Sequence, residues 1–298
     1  MKHLFILNPV AGKGRTVDLI PEIRNCCESK GLDYEIATTG YPGHATQIAS
    51  SYSKAQKLRI YSVGGDGTLN EVLNGMAGSG SSLAAIPSGS GNDFIKSIQG
   101  EDSPVDIVKS AVEGTEHLVD YAKVNDKYFI NISSIGFDAE VVYQGRLFKK
   151  IPLLTGKMIY VLGILTAVIQ CKHHLMKLKI DDQVISAETL LVAVGNGRYY
   201  GGGMLALPDA RIDDGLFDIC HAQAMKRLKI LQLFPRYMKG LHATIKGVSL
   251  YKGKKIEISL DKPVPMNCDG EVFLVEKATF EIYPKGLPFV FPGKIQPC

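Results

Sequence analysis

The sequence has no tryptophan, no CxxC cysteine pair and no long apolar run. Its six cysteines lack the spacing of a zinc site, and we expect reduced thiols in a cytoplasmic protein. The longest apolar stretch, at 158–170, is shorter than the about 20 residues that a membrane-spanning helix needs. The N-terminal segment lacks the features of a signal peptide. We therefore expect a soluble protein rather than a disulfide-stapled secreted domain or an integral membrane protein.

Excess charge is also absent. The 34 basic and 30 acidic residues give a net charge of +4, which is too small for a typical nucleic-acid-binding surface, so we expect no nucleic-acid partner. Apolar residues make up 45% of the 298 residues, an ordinary globular balance. A chain of this length forms one large domain or two ordinary ones.

Predicted strands and helices alternate in the first part of the chain. The strands are predicted at 3–8, 33–39, 58–63 and 82–87, and the helices at 16–31, 43–55, after Gly67 and at 106–114. This alternation predicts an α/β domain with a parallel sheet covered on both faces. Ligands of such sheets bind beyond the carboxyl ends of the strands.

Near residue 118 the pattern changes. Two predicted strands flank the turn at Asn125-Asp126, and strand-like runs dominate after residue 175. Two helices are predicted among them, at about 157–171 and 225–240. We expect a nucleotide-binding α/β domain over 1–122 and a β-rich, antiparallel sandwich domain over 123–285, with a final segment of about 286–298 that can return to the first domain.

Three glycine-rich turns each follow a predicted strand of the first domain. They are NPVAGKG at 8–14, GGDGT at 64–68 and PSGSGNDF at 87–94. In a parallel sheet all three lie at one edge, where glycine lets backbone N–H groups approach an anion closely. A helix that starts at Thr68 adds unpaired N–H groups and a positive dipole end. The edge therefore suits a polyphosphate.

Asp66 is the unexpected residue in these turns, because a carboxylate repels phosphate. Its presence is explained if a divalent cation such as Mg²⁺ lies between them. The simpler alternative is a tight turn in which Asp66 caps the helix. The sequence has no GxxxxGK[ST] phosphate loop and no GxGxxG, so a dinucleotide dehydrogenase has little support.

The three turns resemble the catalytic domain of the diacylglycerol and sphingosine lipid kinases. In the second half, YFINISSIGFDAEV, VGNGRYYGGGM, PDARIDDGLFD and NCDGE resemble successive blocks of the bacterial soluble diacylglycerol kinase–like family. The resemblance runs in order from residue 4 to about residue 271, whereas GGDGT alone is shared with NAD kinases. It implies a NAD kinase/diacylglycerol kinase-like α/β domain, a C-terminal antiparallel β-sandwich domain, and an active-site cleft between them.

The resemblance also implies roles for individual residues. Those implied to contact ATP are Asn8, Pro9, Val10, Ala11, Gly12, Thr39, Gly65, Asp66, Gly67, Thr68, Leu69, Asn70, Glu71 and Ser90. Those implied to form the polar network around the catalytic magnesium are Asp66, Asn92, Asp93 and Asp120. A second, structural magnesium site is implied at the Asp214 carboxylate with the backbone carbonyls of Arg211 and Leu216. Glu271 matches the catalytic base of the family.

Glu271 also has a physical case of its own. Phosphoryl transfer to a hydroxyl needs a proton acceptor within hydrogen-bond reach, and a carboxylate can fill that role. The alternative is that CDGE forms an ordinary hairpin turn with a solvated acid.

The segment 145–177 is a candidate membrane contact, because basic residues flank its apolar helix. The alternative is a core helix of the second domain with ordinary basic flanks. A second basic run, at 225–240, can join the same face.

The leading hypothesis is an ATP- and Mg²⁺-dependent lipid kinase that converts diacylglycerol to phosphatidate at a membrane surface. NAD kinase and a non-catalytic nucleotide-binding regulator are the alternatives. The sequence leaves open the lipid acceptor, the oligomeric state (a homodimer included), and whether the cytoplasmic protein binds peripherally to the inner face of the membrane.

Overall fold

The computed structural model describes residues 1–89, 91–99, 106–148, 156–170 and 172–293. The helices are α1 (Ile20–Ser29), α2 (His44–Ala55), α3 (Asp66–Met76), α4 (Asp93–Gln99), α5 (Ile107–Val112), α6 (Phe137–Phe148), α7 (Gly156–Gln170) and α8 (Arg227–Met238). The strands are β1 (Lys2–Leu7), β2 (Tyr34–Thr38), β3 (Leu58–Gly64), β4 (Ser82–Pro87), β5 (Thr115–Val124), β6 (Lys127–Phe129), β7 (Ile132–Gly136), β8 (His174–Ile180), β9 (Gln183–Gly195), β10 (Tyr199–Tyr200), β11 (Met204–Leu205), β12 (Phe217–Gln223), β13 (Val248–Gly253), β14 (Lys255–Cys268) and β15 (Glu271–Phe291).

The first part of the chain forms the predicted parallel sheet. Its strands lie in the order β4-β3-β1-β2, and every pair along this path is parallel. Successive side chains of β1 point to opposite faces: Leu4 and Ile6 pack with α2 and α3, whereas Phe5 and Leu7 pack with α1 and α5. The sheet is therefore covered on both faces, and the expected α/β fold is confirmed.

The second part is built from antiparallel strands, as predicted. β9 pairs with both β7 and β8, and β14 pairs with the same two strands, so these four strands close on one another. Phe129, Phe217 and Phe280 are fully buried in the core that they enclose. A separate apolar cluster packs α6, α7 and α8 against β9 and β12.

β15 connects the two parts. It begins beside β14, runs antiparallel to β5, and ends where Phe289 pairs in parallel with Leu83 of β4. The predicted domain boundary at 122/123 falls inside β5, and the predicted return at residue 286 falls inside β15. Both positions therefore lie within continuous strands.

Three helices differ from the sequence-based expectation, and one of them, α4 at Asp93–Gln99, was not predicted. α1 begins at Ile20 rather than near residue 16, with Pro21 in its first turn, where the missing N–H of proline is harmless. α6 was not predicted either. It starts directly after Gly136, whose φ of 106° ends β7 and whose Cα lies so close to β9 that a Cβ would sit 2.4 Å from the Leu190 carbonyl oxygen.

The four described cysteines, Cys26, Cys27, Cys220 and Cys268, are free thiols, as expected for reduced cysteines. The other two, Cys171 and Cys298, lie outside the described residues. Within those residues, none of the helices has both the length and the apolar character needed to span a bilayer.

Candidate active site

The three glycine-rich turns meet at the carboxyl ends of β1, β3 and β4. The Asn8 N–H donates to the Val63 carbonyl at 3.0 Å, and the Ser88 N–H donates to the Gly64 carbonyl at 2.9 Å. The Asn8 side chain also donates to Thr68 Oγ1 at 3.0 Å, which fixes the first turn against the start of α3. The predicted meeting of the three turns is therefore observed.

The turns approach so closely that two of the glycines are required. Gly12 has φ of 58°, and a Cβ at this position would lie 2.3 Å from the Ser88 carbonyl oxygen. A Cβ on Gly89 would lie 2.6 Å from the Cα of Gly65. Because α3 begins just after Gly65, its first N–H groups have no partner inside the helix and lie at this same edge.

Asp66 does not cap α3, which was the simpler alternative. It is the first residue of the helix, and its Oδ1 accepts a hydrogen bond from the Asp93 N–H at 2.7 Å. Burial raises the pKa of Asp66, and the nearby Asp93 carboxylate raises it further. Asp93 in turn accepts a hydrogen bond on Oδ2 from the Gly202 N–H at 2.8 Å.

The residues around Asp66 and Asp93 fit a magnesium ion, which would share Asp93 with the ammonium group of Lys96, 3.4 Å from Asp93 Oδ1. Asn92 lies beside them with φ of 51°, and its Oδ1 is buried without a hydrogen-bond partner. Two carboxylates and a free amide oxygen are the hard oxygen ligands that Mg²⁺ prefers. Among the described residues, no three acidic, histidine or cysteine side chains alone form a metal site, so water or phosphate oxygens would complete the coordination.

Several residues predicted to contact ATP have side chains that are buried or already hydrogen-bonded within the protein. Leu69 is buried in the core beneath the sheet. Glu71 accepts hydrogen bonds from the N–H groups of Gly43 at 2.9 Å and Ala45 at 3.2 Å, so its carboxylate holds the start of α2. The Thr39 N–H donates to the Leu7 carbonyl at 2.9 Å, which places Thr39 beside the first turn.

The remaining predicted ATP contacts border the same edge. Pro9 and Ala11 are half-buried, and Val10 and Gly67 are exposed. Ser90 lies outside the described residues.

The hydrogen-bond partners of Asp120 differ from those of Asp66. Its Oδ2 accepts from the Gly215 N–H at 2.7 Å, and its Oδ1 accepts from the Lys285 N–H at 2.6 Å. Its carboxylate therefore supports the loop that was predicted to hold the second magnesium ion.

A cation from the neighbouring strand β13 already lies beside that loop. Lys252 Nζ lies 3.2 Å from Asp214 Oδ2 and 3.1 Å from Asp218 Oδ2. Asp214 Oδ1 accepts from the Leu216 N–H at 3.1 Å, and Arg211 lies 3.7 Å from Asp213 at the surface. The residues fit a magnesium ion only in part, because such an ion would share Asp214 with the ammonium group of Lys252.

The turn that carries Glu271 is fixed by Asp269, a residue that sequence reasoning did not select. Asp269 Oδ2 accepts from Asn70 Nδ2 at 3.1 Å and from the Ile130 N–H at 2.9 Å. Oδ1 accepts from the N–H groups of Asn131 at 3.2 Å and Ile132 at 3.1 Å. Part of the residue reaches solvent, but these four donors enclose its carboxylate, and burial raises its pKa to about 6.

Asn70 links this turn to the edge of the sheet where the three glycine-rich turns meet. It lies four residues after Asp66 on α3, so the two side chains stand one above the other on one face of the helix. The charge of Asp66 contributes to the raised pKa of Asp269. The signal in the sequence was the Asp-Gly pair of a tight hairpin turn, and Asp269 does adopt φ of 45°.

Glu271 is partly exposed, with 45% of its side chain accessible, and forms an ion pair with Lys127. Lys127 also lies over the ring of Phe273, at 5.1 Å from its centroid. Lys127 therefore compensates the charge of Glu271.

A small apolar cavity of about 50 Å³ lies in the second part of the chain, between β9, β12, α6 and α8. Its apolar walls include Phe137, Val141, Leu190, Leu191, Ala222, Ile230, Leu233 and Phe234. Two polar residues also line it. Neither carboxylate oxygen of Asp138 and neither ring nitrogen of His242 has a partner in good hydrogen-bond geometry, although Ser134 and Tyr200 lie near Asp138. Burial raises the pKa of Asp138 and lowers that of His242, so both shifts favour uncharged forms.

The short hairpin of β10 and β11 connects this cavity to Asp93, at the edge where the glycine-rich turns meet. Tyr200 of β10 and Met204 of β11 line the cavity, and Gly202 between them donates its N–H to Asp93. Two residues span at most about 7 Å. The backbone of these two cavity-lining residues therefore lies within about 7 Å of the backbone that contacts Asp93.

The parallel sheet with its three glycine-rich turns and the antiparallel second part each match a known family model. Residues 2–124 match the diacylglycerol kinase catalytic domain, and residues 131–291 match the YegS C-terminal NAD kinase beta sandwich-like domain. The chain belongs to the diacylglycerol kinase family.

Individual relatives agree over nearly their whole length. A diacylglycerol kinase of Staphylococcus carnosus (strain TM300) is 30% identical over 93% of each chain. One of Mycobacterium tuberculosis (strain CDC 1551 / Oshkosh) is 27% identical over 96% of this chain and 94% of the relative. The crystal structure of a protein from Bacillus anthracis (strain Sterne), assigned as a diacylglycerol kinase, aligns with a TM-score of 0.78 and 27% identity. The alignment covers 99% of this chain and 98% of the other.

Proposed function

We propose that this lipid kinase transfers the γ-phosphate of ATP to the primary hydroxyl of diacylglycerol, giving phosphatidate. The observation that carries the proposal is the hairpin 199–205, which joins the acidic cluster at Asp93 to an apolar cavity. An acyl chain whose end enters this cavity would leave the glycerol part of the lipid on the side of Asp66 and Asp93. The relatives that are named diacylglycerol kinases support the same acceptor.

In the proposed reaction, the turns at 8–14 and 64–68 and the start of α3 bind the phosphates of ATP through backbone N–H groups. Asp66, Asn92 and Asp93 would hold a magnesium ion, which would supply charge compensation at the phosphates. Asp214, with the carbonyls of Arg211 and Leu216, is the proposed second site, in competition with Lys252.

Glu271 is the proposed base. It removes the proton from the acceptor hydroxyl as that oxygen bonds to the γ-phosphorus, and the bond to the β-phosphate oxygen of ATP breaks to release ADP. Asp269 positions this residue by fixing its turn to Asn70 of α3. The ion pair with Lys127 keeps the Glu271 carboxylate compensated before substrates bind.

NAD kinase is the second candidate, because residues 131–291 match a domain described as NAD kinase beta sandwich-like. A cavity with almost wholly apolar walls suits an acyl chain better than a second nucleotide. The test uses the purified full chain, Mg²⁺ and γ-labelled ATP with either diacylglycerol micelles or NAD. Label in the lipid phase is expected. Label in NAD would replace the proposal, and label in neither would favour a nucleotide-binding regulator.

A panel of acceptors sharpens the result. Diacylglycerol, a sphingoid base, a polyprenol and phosphatidylglycerol each present a hydroxyl on an apolar anchor. We expect the highest kcat/KM with diacylglycerol, and a tenfold preference for another acceptor would contradict the proposed substrate.

A further inference from the structure

We infer that α8 and its flanking residues, Lys226–Leu241, form the surface by which this enzyme docks on an anionic lipid bilayer. This surface is called the α8 face below. The inference extends the proposed function, because a kinase that acts on diacylglycerol must reach its acceptor at a membrane.

Charge is concentrated around the α8 face. Between residues 219 and 256 the sequence has nine lysines and arginines and no aspartate or glutamate. The other residues carry 25 basic and 30 acidic side chains, so this stretch reverses the sign of the rest of the chain. Within the α8 face the basic residues are Lys226, Arg227, Lys229, Arg236 and Lys239. A basic surface of this kind is attracted to anionic headgroups.

Large apolar side chains project from the same surface. Leu228 is 74% exposed, Leu231 and Met238 are 42% exposed, and Leu241 is 58% exposed. On α8, Leu228, Leu231 and Met238 recur at intervals of three and seven residues, which places them along one side of the helix. Exposed leucines clustered among lysines are typical of helices that lie in a membrane interface.

The other side of α8 roofs the apolar cavity. Ile230, Leu233, Phe234 and Tyr237 follow the helical interval of three and four residues and line that cavity. α8 therefore separates the cavity from the surface by the thickness of a single helix. A helix that sinks about 5–10 Å into the headgroup layer would bring the cavity level with the acyl chains.

A second copy of the chain is a poorer occupant of this surface. A twofold dimer through the α8 face would bring the same patch of both subunits together. Five basic residues of one copy would then face the same five of the other without an acidic partner in the patch. Anionic lipid supplies both the apolar layer and the opposite charge.

The experiment measures binding of the purified full chain to vesicles in the absence of ATP. One set contains equal parts of phosphatidylglycerol and phosphatidylcholine, and the other contains phosphatidylcholine alone. We expect co-sedimentation with the first set, weakened by salt, and at least about tenfold weaker partitioning to the second. Equal binding to both sets would overturn the inference.

Two double variants test the α8 face directly. Leu228→Gln with Leu231→Gln removes exposed apolar groups, and Arg227→Glu with Lys239→Glu reverses two charges. Each is expected to weaken partitioning at least about tenfold. For the charge reversal, each basic residue near an anionic surface contributes a several-fold effect. For the leucine variant, the apolar area that would be buried in the bilayer is lost. Lys229 and Arg236 are left unchanged because they hydrogen-bond to the loop at 244–246.

Matched controls carry the same changes elsewhere. Leu118→Gln with Val184→Gln replaces residues that are each 54% exposed, and Lys54→Glu with Lys57→Glu reverses two exposed lysines at the end of α2. Both controls should bind vesicles like the unaltered enzyme. Equal losses in controls and α8-face variants would overturn the inference.

Activity and assembly provide two further readouts. All four variants should phosphorylate a short-chain, dispersed diacylglycerol at the unaltered rate, which shows that they are folded. If the leucine variant instead converts a dimer to a monomer and binds vesicles normally, the α8 face contacts a second copy and the inference fails. An unaltered chain that binds vesicles but phosphorylates no diacylglycerol would sink the proposed function and leave the docking surface standing.

Discussion

At the carboxyl edge of the parallel sheet, backbone atoms of three turns lie against one another, whereas around the cavity beneath α8 only side chains from distant segments meet. Gly12 contacts the Ser88 carbonyl, and the Ser88 N–H donates to Gly64. The cavity, in contrast, is enclosed by residues between Phe137 and Val248 that contact one another through apolar groups.

This difference reflects the two proposed ligands. A polyphosphate is recognised by N–H groups at fixed positions, so its site tolerates few residue types. An acyl chain has no polar groups to match, and many combinations of apolar side chains of suitable total volume can surround it. Short motifs therefore identify the phosphate edge, and only the folded chain reveals the cavity.

The largest expected effect follows replacement of Glu271 by glutamine. The change keeps the size of the side chain but removes its ability to accept a proton, so kcat should fall about 10²–10⁴-fold. ATP affinity, measured by titration calorimetry, should stay within about twofold, because the phosphates contact other residues. Glu276→Gln, an exposed change on the same strand, is the control. Turnover near the unaltered rate would remove Glu271 from the role of base.

The backbone contact at Gly12 predicts the next largest effect. A Cβ there would lie 2.3 Å from a carbonyl oxygen, so Gly12→Ala must push the first and third turns apart. Displacement by about 1 Å can cost about 10²-fold, and we expect a loss of that order in kcat/KM for ATP.

Gly14→Ala is the matched control for this contact. Gly14 also has positive φ, 89°, but a Cβ at that position would meet nothing within 4 Å. It therefore shows the cost of backbone strain alone. Equal losses in both variants would mean that strain, rather than contact between the turns, sets the effect.

Asp269 predicts a pH-dependent stability. Its pKa in the folded chain is about 6, above its ordinary value of 3.8. Between these values the folded state binds more protons than the unfolded state, so the free energy of unfolding falls as pH rises. The contribution is at most about 3 kcal/mol and levels off above pH 6.

Urea unfolding of the unaltered chain and Asp269→Asn from about pH 4 to pH 7 measures this contribution. The variant cannot titrate at this position, so the unfolding free energy of the unaltered chain minus that of the variant should fall as pH rises from about 4 to about 6. Asp126→Asn, in the exposed turn between β5 and β6, is the control. A difference that is constant with pH would show that Asp269 does not titrate in this range.

The fold class and the phosphate edge could be predicted from the sequence because both depend on local patterns. Alternating strands and helices gave the parallel sheet, and each glycine turn followed a strand. α6 was missed because its start depends on the contact between Gly136 and β9, which is distant in sequence. Asp269 was missed because its four donors come from α3 and from residues 130–132.

Other site features depend on side chains that only the fold brings together. Nothing near Asp214 in the sequence shows that Lys252, on a neighbouring strand, supplies a cation to its loop. The part of 145–177 that was predicted to contact the membrane lies partly outside the described residues. Within its described part, α7 exposes Leu165 and Ile169, and the run 225–240, which was predicted to join the same face, contains α8 with its own exposed leucines. A sequence pattern alone does not distinguish an exposed leucine from a buried one.

The smallest expected effect concerns the cavity. Ala222 of β12 is 5% exposed and lines it, so Ala222→Leu should occupy part of the space that the proposed acyl chain fills. A change of a few methylene groups in an apolar pocket is worth about tenfold or more in discrimination. We expect kcat/KM for a long-chain diacylglycerol to fall about tenfold, while that for a short-chain diacylglycerol and the KM for ATP stay unchanged.

Ala187→Leu, on β9 but away from the cavity lining, controls for an added side chain, and thermal unfolding of both variants checks for overpacking. If long and short acceptors lose activity equally, the cavity does not bind the acyl chain. Only the proposed ATP site, where backbone N–H groups contact the phosphates, would then remain of the two sites.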